Sequence, residues 1–238
     1  MNQPDTTVAE RRVWDLPVRI FHWSLVLAVA GAWITHEFLG GYIWFDYHKW
    51  CGYAVLVLVG FRILWGLVGT RHALFWNFVR NPLATARYAF GLLRGRHSVF
   101  TGHNPLGAVM VIVLLLALLT QAVLGLFGDD DNGNLGPLNG YIDHERALDL
   151  TSLHRLLFWW IVGAIGLHVL GVIVHRLTTG EKLVRAMFTG RKPAVVVPEK
   201  EAIHSSKLVL AVLIAALLAG ALAWVVQHAP PPLNLDSF

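Results

Sequence analysis

The chain has 238 residues, of which 55% are hydrophobic and only 14% charged, where soluble domains carry about 25% charged residues. Such a composition excludes an ordinary soluble domain, and the length fits one membrane bundle of four or five spans. The formal charge of +4 does not point to nucleic acid, because the basic residues are sorted by loop, as membrane topology sorts them.

Met1 to Val13 is polar and ends in Glu10, Arg11 and Arg12. The first span is expected over 18–36; Ala28-Val29-Ala30 resembles a signal-peptidase site, but the apolar run continues to Ile34, which favours a retained helix. After Glu37 and Asp46 a second span is expected over 48–68, interrupted by Arg62. Thr70 to Thr101 interleaves Arg71, Arg80, Arg87, Arg94 and Arg96 with apolar residues, the pattern of an amphipathic helix lying in the interface. A third span is expected over 105–127, opened by Asn104-Pro105 as cap and first helical residue. The acidic segment from Gly128 to Thr151 leads to a fourth span over 154–176. A basic stretch to Lys207 precedes a fifth span over 208–226 and a proline-rich tail. The expected domains are therefore a membrane domain over 1–192 and a linker, fifth span and tail over 193–238.

The basic segments place the N-terminus and the loops after spans two and four in the cytoplasm, and the acidic segments and C-terminus outside. The expected location is the bacterial cytoplasmic (inner) membrane. Trp14, Trp23 and Trp65 fall near the inner interface, and Trp33, Trp44, Trp50, Trp159, Trp160 and Trp224 near the outer one, as aromatic belts do.

Histidines inside spans are functional candidates, since ionisable groups are rare there and need a partner. The fourth span carries His154 and His168, fourteen residues apart. On a helix that spacing gives nearly one face, with about 40° of offset and roughly 21 Å of axial separation. Two imidazoles so placed suit two stacked haems. No CxxCH occurs and Cys51 stands alone, so such haems would be non-covalent and b-type. At matching depth, His22 of span one pairs with His168 near the inner side. His154 needs an outer partner, for which spacing leaves two choices. His36 lies fourteen residues after His22, while His48 is followed by Gly52, a small residue that leaves room for a flat macrocycle.

Arg62 shares the face of His48, fourteen residues on. A charge at the inner haem's depth would serve a propionate or a quinone carbonyl, or it would snorkel to the surface. His175 reads as interfacial, quinone-adjacent or a replacement ligand for His168. His103 is a quinone-site residue or simply the entry to span three. Asp129 to Asp131 lack the spacing of a calcium loop, and suit a solvated loop or a docking surface for a basic redox protein.

Eight motifs in order are VWDLPVRIFHW from Val13, HKWCGY from His48, GFRILWGLVG from Gly60, GHNPLG from Gly102, GLF with a following GPL from Gly125, SLHRLLFW from Ser152, GLHVLGVIVH from Gly166 and LVRAMFTGRK from Leu183. Together, over Val13 to Lys192, they resemble the bacterial cytochrome b561 and nickel-iron hydrogenase b-type cytochrome family. The resemblance implies an all-α membrane bundle, with a four-helix di-haem core to which this chain adds a fifth helix. It implies one ligand from span one, one from span two and two from span four: His22 with His168 inside, His48 with His154 outside. His36 is then interfacial.

With both axial positions filled, such haems pass electrons rather than activate ligands. The implied function is electron transfer across the membrane, as a subunit rather than a stand-alone enzyme, between the quinone pool and a periplasmic partner. That partner would be a c-type cytochrome, favoured by the acidic outer face, or a hydrogenase or other oxidoreductase. The chain is open to forming a homo-oligomer, and lipid is its solvent. The rival functions are a superoxide:ubiquinone oxidoreductase acting without a partner, and an anchor subunit of a respiratory complex in which the haem ligands no longer matter.

Overall fold

A computed structural model describes residues 9–39, 41–96 and 98–231; most of the polar N-terminal segment and of the proline-rich tail lies outside them. Five helices are long and apolar enough to cross a membrane: α1 (Leu16–Glu37), α2 (Tyr42–Val68), α5 (Pro105–Leu126), α6 (His144–Thr179) and α8 (Leu208–Gln227). Two shorter helices, α3 (Phe75–Phe78) and α4 (Pro82–Leu93), follow α2, and α7 (Leu183–Thr189) follows α6. A membrane bundle of helices is thus the fold, with one small departure from all-α. Strand β1 (Glu10–Arg12) pairs antiparallel with β2 (Arg191–Pro193).

The helix starts follow local capping chemistry. The Asp15 carboxylate accepts the Val18 N–H at 2.6 Å with Pro17 in the first turn, and Asn104 accepts Gly107 N–H at 2.7 Å ahead of Pro105. The fourth spanning helix starts ten residues before its apolar run, because Asp143 accepts the Arg146 N–H at 2.9 Å and initiates a polar turn. It ends at Gly180, whose φ of 74° closes the helix in the left-handed region. The second helix likewise starts at Tyr42, just after Gly41.

The helices pack as a row in which α1 lies on α2, α2 on α5 and α5 on α6, with little direct contact between α1 and α6. The fifth spanning helix lies on α2 and α1, where Leu218 comes within 3.5 Å of the position a Cβ on Gly60 would take. Charge sorts along the axis. At the basic end β1 meets β2, Lys192 Nζ donates to Phe100 O at 2.9 Å, and Lys207 Nζ donates to Gly69 O at 2.7 Å. These contacts gather the N-terminal segment and the segments after α2 and α6 on one side. At the acidic end Gly140 sits under the Pro230 and Pro231 carbonyls, and Gly133 against the Tyr42 hydroxyl.

Candidate functional site

At the acidic end, His48 of α2 and His154 of α6 stand with ring centroids 6.2 Å apart and planes at 76°. Each ring is oriented by a backbone carbonyl of another helix: His48 Nδ1–H donates to Ala32 O at 2.8 Å, and His154 Nδ1–H donates to Gln121 O at 2.9 Å. A carbonyl only accepts, so these bonds fix the proton on Nδ1 and leave Nε2 with its lone pair. That is the tautomer and hydrogen-bonding pattern of a metal-bound imidazole.

A cavity of about 330 Å³ surrounds the pair, walled by apolar residues such as Val29, Val55, Leu118, Phe158 and Ile161. Two glycines shape it. A Cβ on Gly52 would meet nothing within 4 Å and would only take up room, whereas one on Gly125 would lie 3.1 Å from His154 Cε1. Glycine at 125 is therefore what lets the His154 ring lie against α5. Two imidazole rings 6.2 Å apart across a largely apolar cavity would suit a flat macrocycle held between them, with His48 and His154 as the residues that would hold it. His36 also lines the cavity, with its ring 5.5 Å from that of His48, but it is exposed.

At the basic end, His22 of α1 and His168 of α6 lie within electrostatic range across the α1–α6 gap. Here no carbonyl orients the ring: His22 Nδ1 is buried without a hydrogen-bond partner among the described residues. Arg62 is also buried, at 3% exposure, and so does not snorkel to the surface. Its guanidinium lies over Phe75 and Phe78, 5.0 and 5.8 Å from the ring centres, and its Nη1 has no partner among the described residues. A buried unsatisfied donor costs about 1–3 kcal/mol, more when charged, so Arg62 is set up for an anion or acceptor. The structure thus offers donors for a haem propionate or a quinone oxygen.

The neighbouring groups are positioned tightly. Asp15, 1% exposed, accepts from Val18 N–H, Trp65 Nε1–H at 3.1 Å and the Thr70 hydroxyl. His103 packs between Trp14 and Phe78, with ring centroids 4.8 and 4.5 Å away. Burial, with Arg62, Lys192 and His72 nearby, pushes its imidazole down to about 3, so the ring is neutral near pH 7. His175 Nε2–H donates to Glu181 Oε2 at 2.8 Å, which ties the last turns of α6 to the segment just past its C-cap.

The acidic loop spends much of its charge on its own turn. Asp130 accepts from Asn132 N–H, Asn134 N–H and Asn134 Nδ2, while Asp129 accepts from Asp131 N–H and His144 Nδ1. Among the described residues no group of three or more His, Cys, Asp or Glu side chains is placed to hold a metal ion by itself.

Sequence reasoning did not reach Ala32, Gln121, Gly125, Glu181 or Lys192. Three of these act through backbone or absence of a side chain, which leaves no chemical signature; Gly125 and Lys192 stand in quoted motifs, which gave them a signal but no role. Comparison with known proteins adds the following. A family model described as prokaryotic cytochrome b561 matches residues 13–190. The chain is 27% identical over 215 residues to the probable Ni/Fe-hydrogenase B-type cytochrome subunit of Rhodobacter capsulatus, covering 76% of this chain and 80% of that one. It is 25% identical over 225 residues to the probable Ni/Fe-hydrogenase 1 B-type cytochrome subunit of Escherichia coli K12, covering 80% and 94%. No solved structure matches.

Proposed function

The chain belongs to the prokaryotic cytochrome b561 family, and from that premise we propose that it carries electrons across the bacterial inner membrane through two b haems, between quinone and a periplasmic redox enzyme. The observation that carries this reading is the His48–His154 pair, with both Nδ1 atoms committed to carbonyls and both rings lining one apolar cavity. A bound haem would supply one-electron chemistry at iron. The chain's residues do the rest: His48 and His154 hold one group at the acidic end, and His22 and His168 hold the other at the basic end. Gly52 and Gly125 keep space for the first. Arg62 neutralises an anionic group of the second.

The orientation follows the charge sorting, with the basic end cytoplasmic and the C-terminus periplasmic. Quinone then reacts at the basic end, beside His103 and Arg62. The partner docks at the acidic end. Charge alone favoured a basic c-type cytochrome there, but Asp129 and Asp130 are engaged within their own loop. The relatives' names favour a nickel-iron hydrogenase or an enzyme of that kind.

The test is the dithionite-reduced minus oxidised spectrum of purified protein, with pyridine haemochrome and protein quantified together, followed by reduction with a soluble quinol. Two b haems per chain, six-coordinate and low-spin and reducible by quinol, are expected. One haem would break one ligand pair, and none would leave the membrane-anchor function. Rapid reduction by superoxide with no partner protein would favour the superoxide oxidoreductase instead.

A further inference from the structure

The basic end holds a second cavity, of about 350 Å³, whose lining is mostly polar and includes none of the four paired histidines. Arg71 and His72 line it from the turn after α2, and Arg80 from the residues between α3 and α4. Thr101 and His103 line it from the approach to α5, and Glu201 from the segment before α8. These walls are tied to the rest of the fold. His72 Nε2–H donates to Glu201 O at 2.8 Å, the Thr101 hydroxyl donates to Val196 O at 3.3 Å, and Asn77 Nδ2 donates to Arg71 O at 2.7 Å. The cavity is therefore built by long-range contacts, not left open between loose loops.

Its charges are not balanced from within. Among the described residues the arginine ion pairs are made by Arg11, Arg146 and Arg185, so Arg71 and Arg80 have no carboxylate partner. Glu201 is the single carboxylate of the lining, against two guanidinium groups. Burial pulls the His72 imidazole below its ordinary range, with Glu201 opposing and Arg71 and Lys192 adding to the pull. That ring is thus neutral near pH 7, and with its proton on Nε2 its Nδ1 is an acceptor. A Cβ on Gly102 would lie 3.2 Å from this Nδ1, so glycine keeps the nitrogen clear. Guanidinium forks match phosphate oxygens in shape and charge. His72 Nδ1, Thr101 Oγ1 and the Glu201 carboxylate are left to accept from hydroxyl groups.

We propose that this cavity binds an anionic phospholipid with a hydroxylated head group, of which phosphatidylglycerol is the simplest. Arg71 and Arg80 hold the phosphate, and His72, Thr101 and Glu201 accept from the head-group hydroxyls. A lipid, rather than free phosphate, is indicated by the surroundings of the cavity. Val99 lines it and is exposed, as are Trp76 and Val79, the sequence neighbours of the lining residues Asn77, Phe78 and Arg80. Helix α4 starts two residues after Arg80 and buries none of its residues. It exposes Leu83 and Phe90, seven residues apart and so on one face, with Arg87 between them. Arginines and apolar side chains on one exposed surface are how a helix lies where head groups meet acyl chains. A lipid whose phosphate is held here can run its chains over that surface, whereas free phosphate gains nothing from it. The site involves neither haem nor quinone and stands or falls without them.

The test is native mass spectrometry of the full-length protein in detergent, titrated with dioleoylphosphatidylglycerol, dioleoylphosphatidylcholine or inorganic phosphate and read as the affinity for the first bound molecule. Wild-type protein is expected to bind phosphatidylglycerol most tightly. Arg71→Gln combined with Arg80→Gln is expected to weaken that binding by roughly 30-fold, about fivefold for each arginine beside an anionic lipid. Arg87→Gln combined with Arg94→Gln removes two charges outside the cavity and is expected to leave the affinity close to wild type. Equal losses in the two double variants would mean general attraction to a basic surface and overturn the site. Inorganic phosphate bound as tightly as phosphatidylglycerol overturns the lipid source, and phosphatidylcholine bound as tightly overturns recognition of the head group. Should the variant lacking Arg71 and Arg80 fail to fold, Arg80→Gln alone decides: a loss of about fivefold is expected, and wild-type affinity overturns the proposal.

Discussion

The two histidine pairs differ in how the protein holds them. At the acidic end both Nδ1 atoms are tied to carbonyls of neighbouring helices, Ala32 O and Gln121 O. At the basic end His22 Nδ1 has no partner among the described residues, while a buried arginine and a neutral histidine, Arg62 and His103, stand nearby. One site is specified through its ligands, the other through its surroundings. The difference has an electronic consequence. A hydrogen bond from Nδ1–H makes an imidazole a stronger donor and so favours ferric iron, whereas a buried cation beside a haem favours the ferrous state, which carries less positive charge. On the proposed function, the acidic-end haem is therefore expected at the lower potential, so that electrons would run downhill from the acidic end to the basic end.

Removing a ligand tests this contrast most severely. His22→Ala or His168→Ala is expected to take haem content from two per chain to one, leaving the lower-potential haem, as potentiometric titration of the reduced band would show. Gly66→Ala probes the packing of α2 against α3 beside Arg62. Its Cβ would lie 2.1 Å from the Phe75 ring, so thermal unfolding is expected to show a loss of about 1–3 kcal/mol with both haems kept. A smaller, one-sided effect is expected from Gly125→Ala, whose Cβ would press on His154 Cε1 at 3.1 Å. Part of the acidic-end haem should be lost or shifted in its low-spin band, with the other unchanged. Arg62→Leu is expected to lower the potential of the basic-end haem alone; equal potentials before and after would remove Arg62 from that site.

Much of this was legible in the sequence because lipid imposes a simple rule. A helix must be apolar for about twenty residues, so runs such as Pro105 to Leu126 declare themselves. The fourteen-residue intervals His154 to His168 and His48 to Arg62 place side chains by depth. What the apolar pattern could not give was set by other forces. The early start of α6 depends on the Asp143 cap. The β1–β2 pairing joins segments about 180 residues apart, each three residues long, and no local pattern predicts it. The carbonyls of Ala32 and Gln121 carry no side-chain signature, so the feature that most sharply separates the two pairs was invisible until helices could be placed side by side.

The assignment on which the account turns is His48 rather than His36 as partner to His154, since both rings reach the same cavity. It is tested most directly by haem stoichiometry of His48→Ala beside His36→Ala, by pyridine haemochrome against protein. The account predicts one haem per chain in the first and two in the second. Two haems in His48→Ala with one in His36→Ala would contradict it, moving the acidic-end site to lie between α1 and α6.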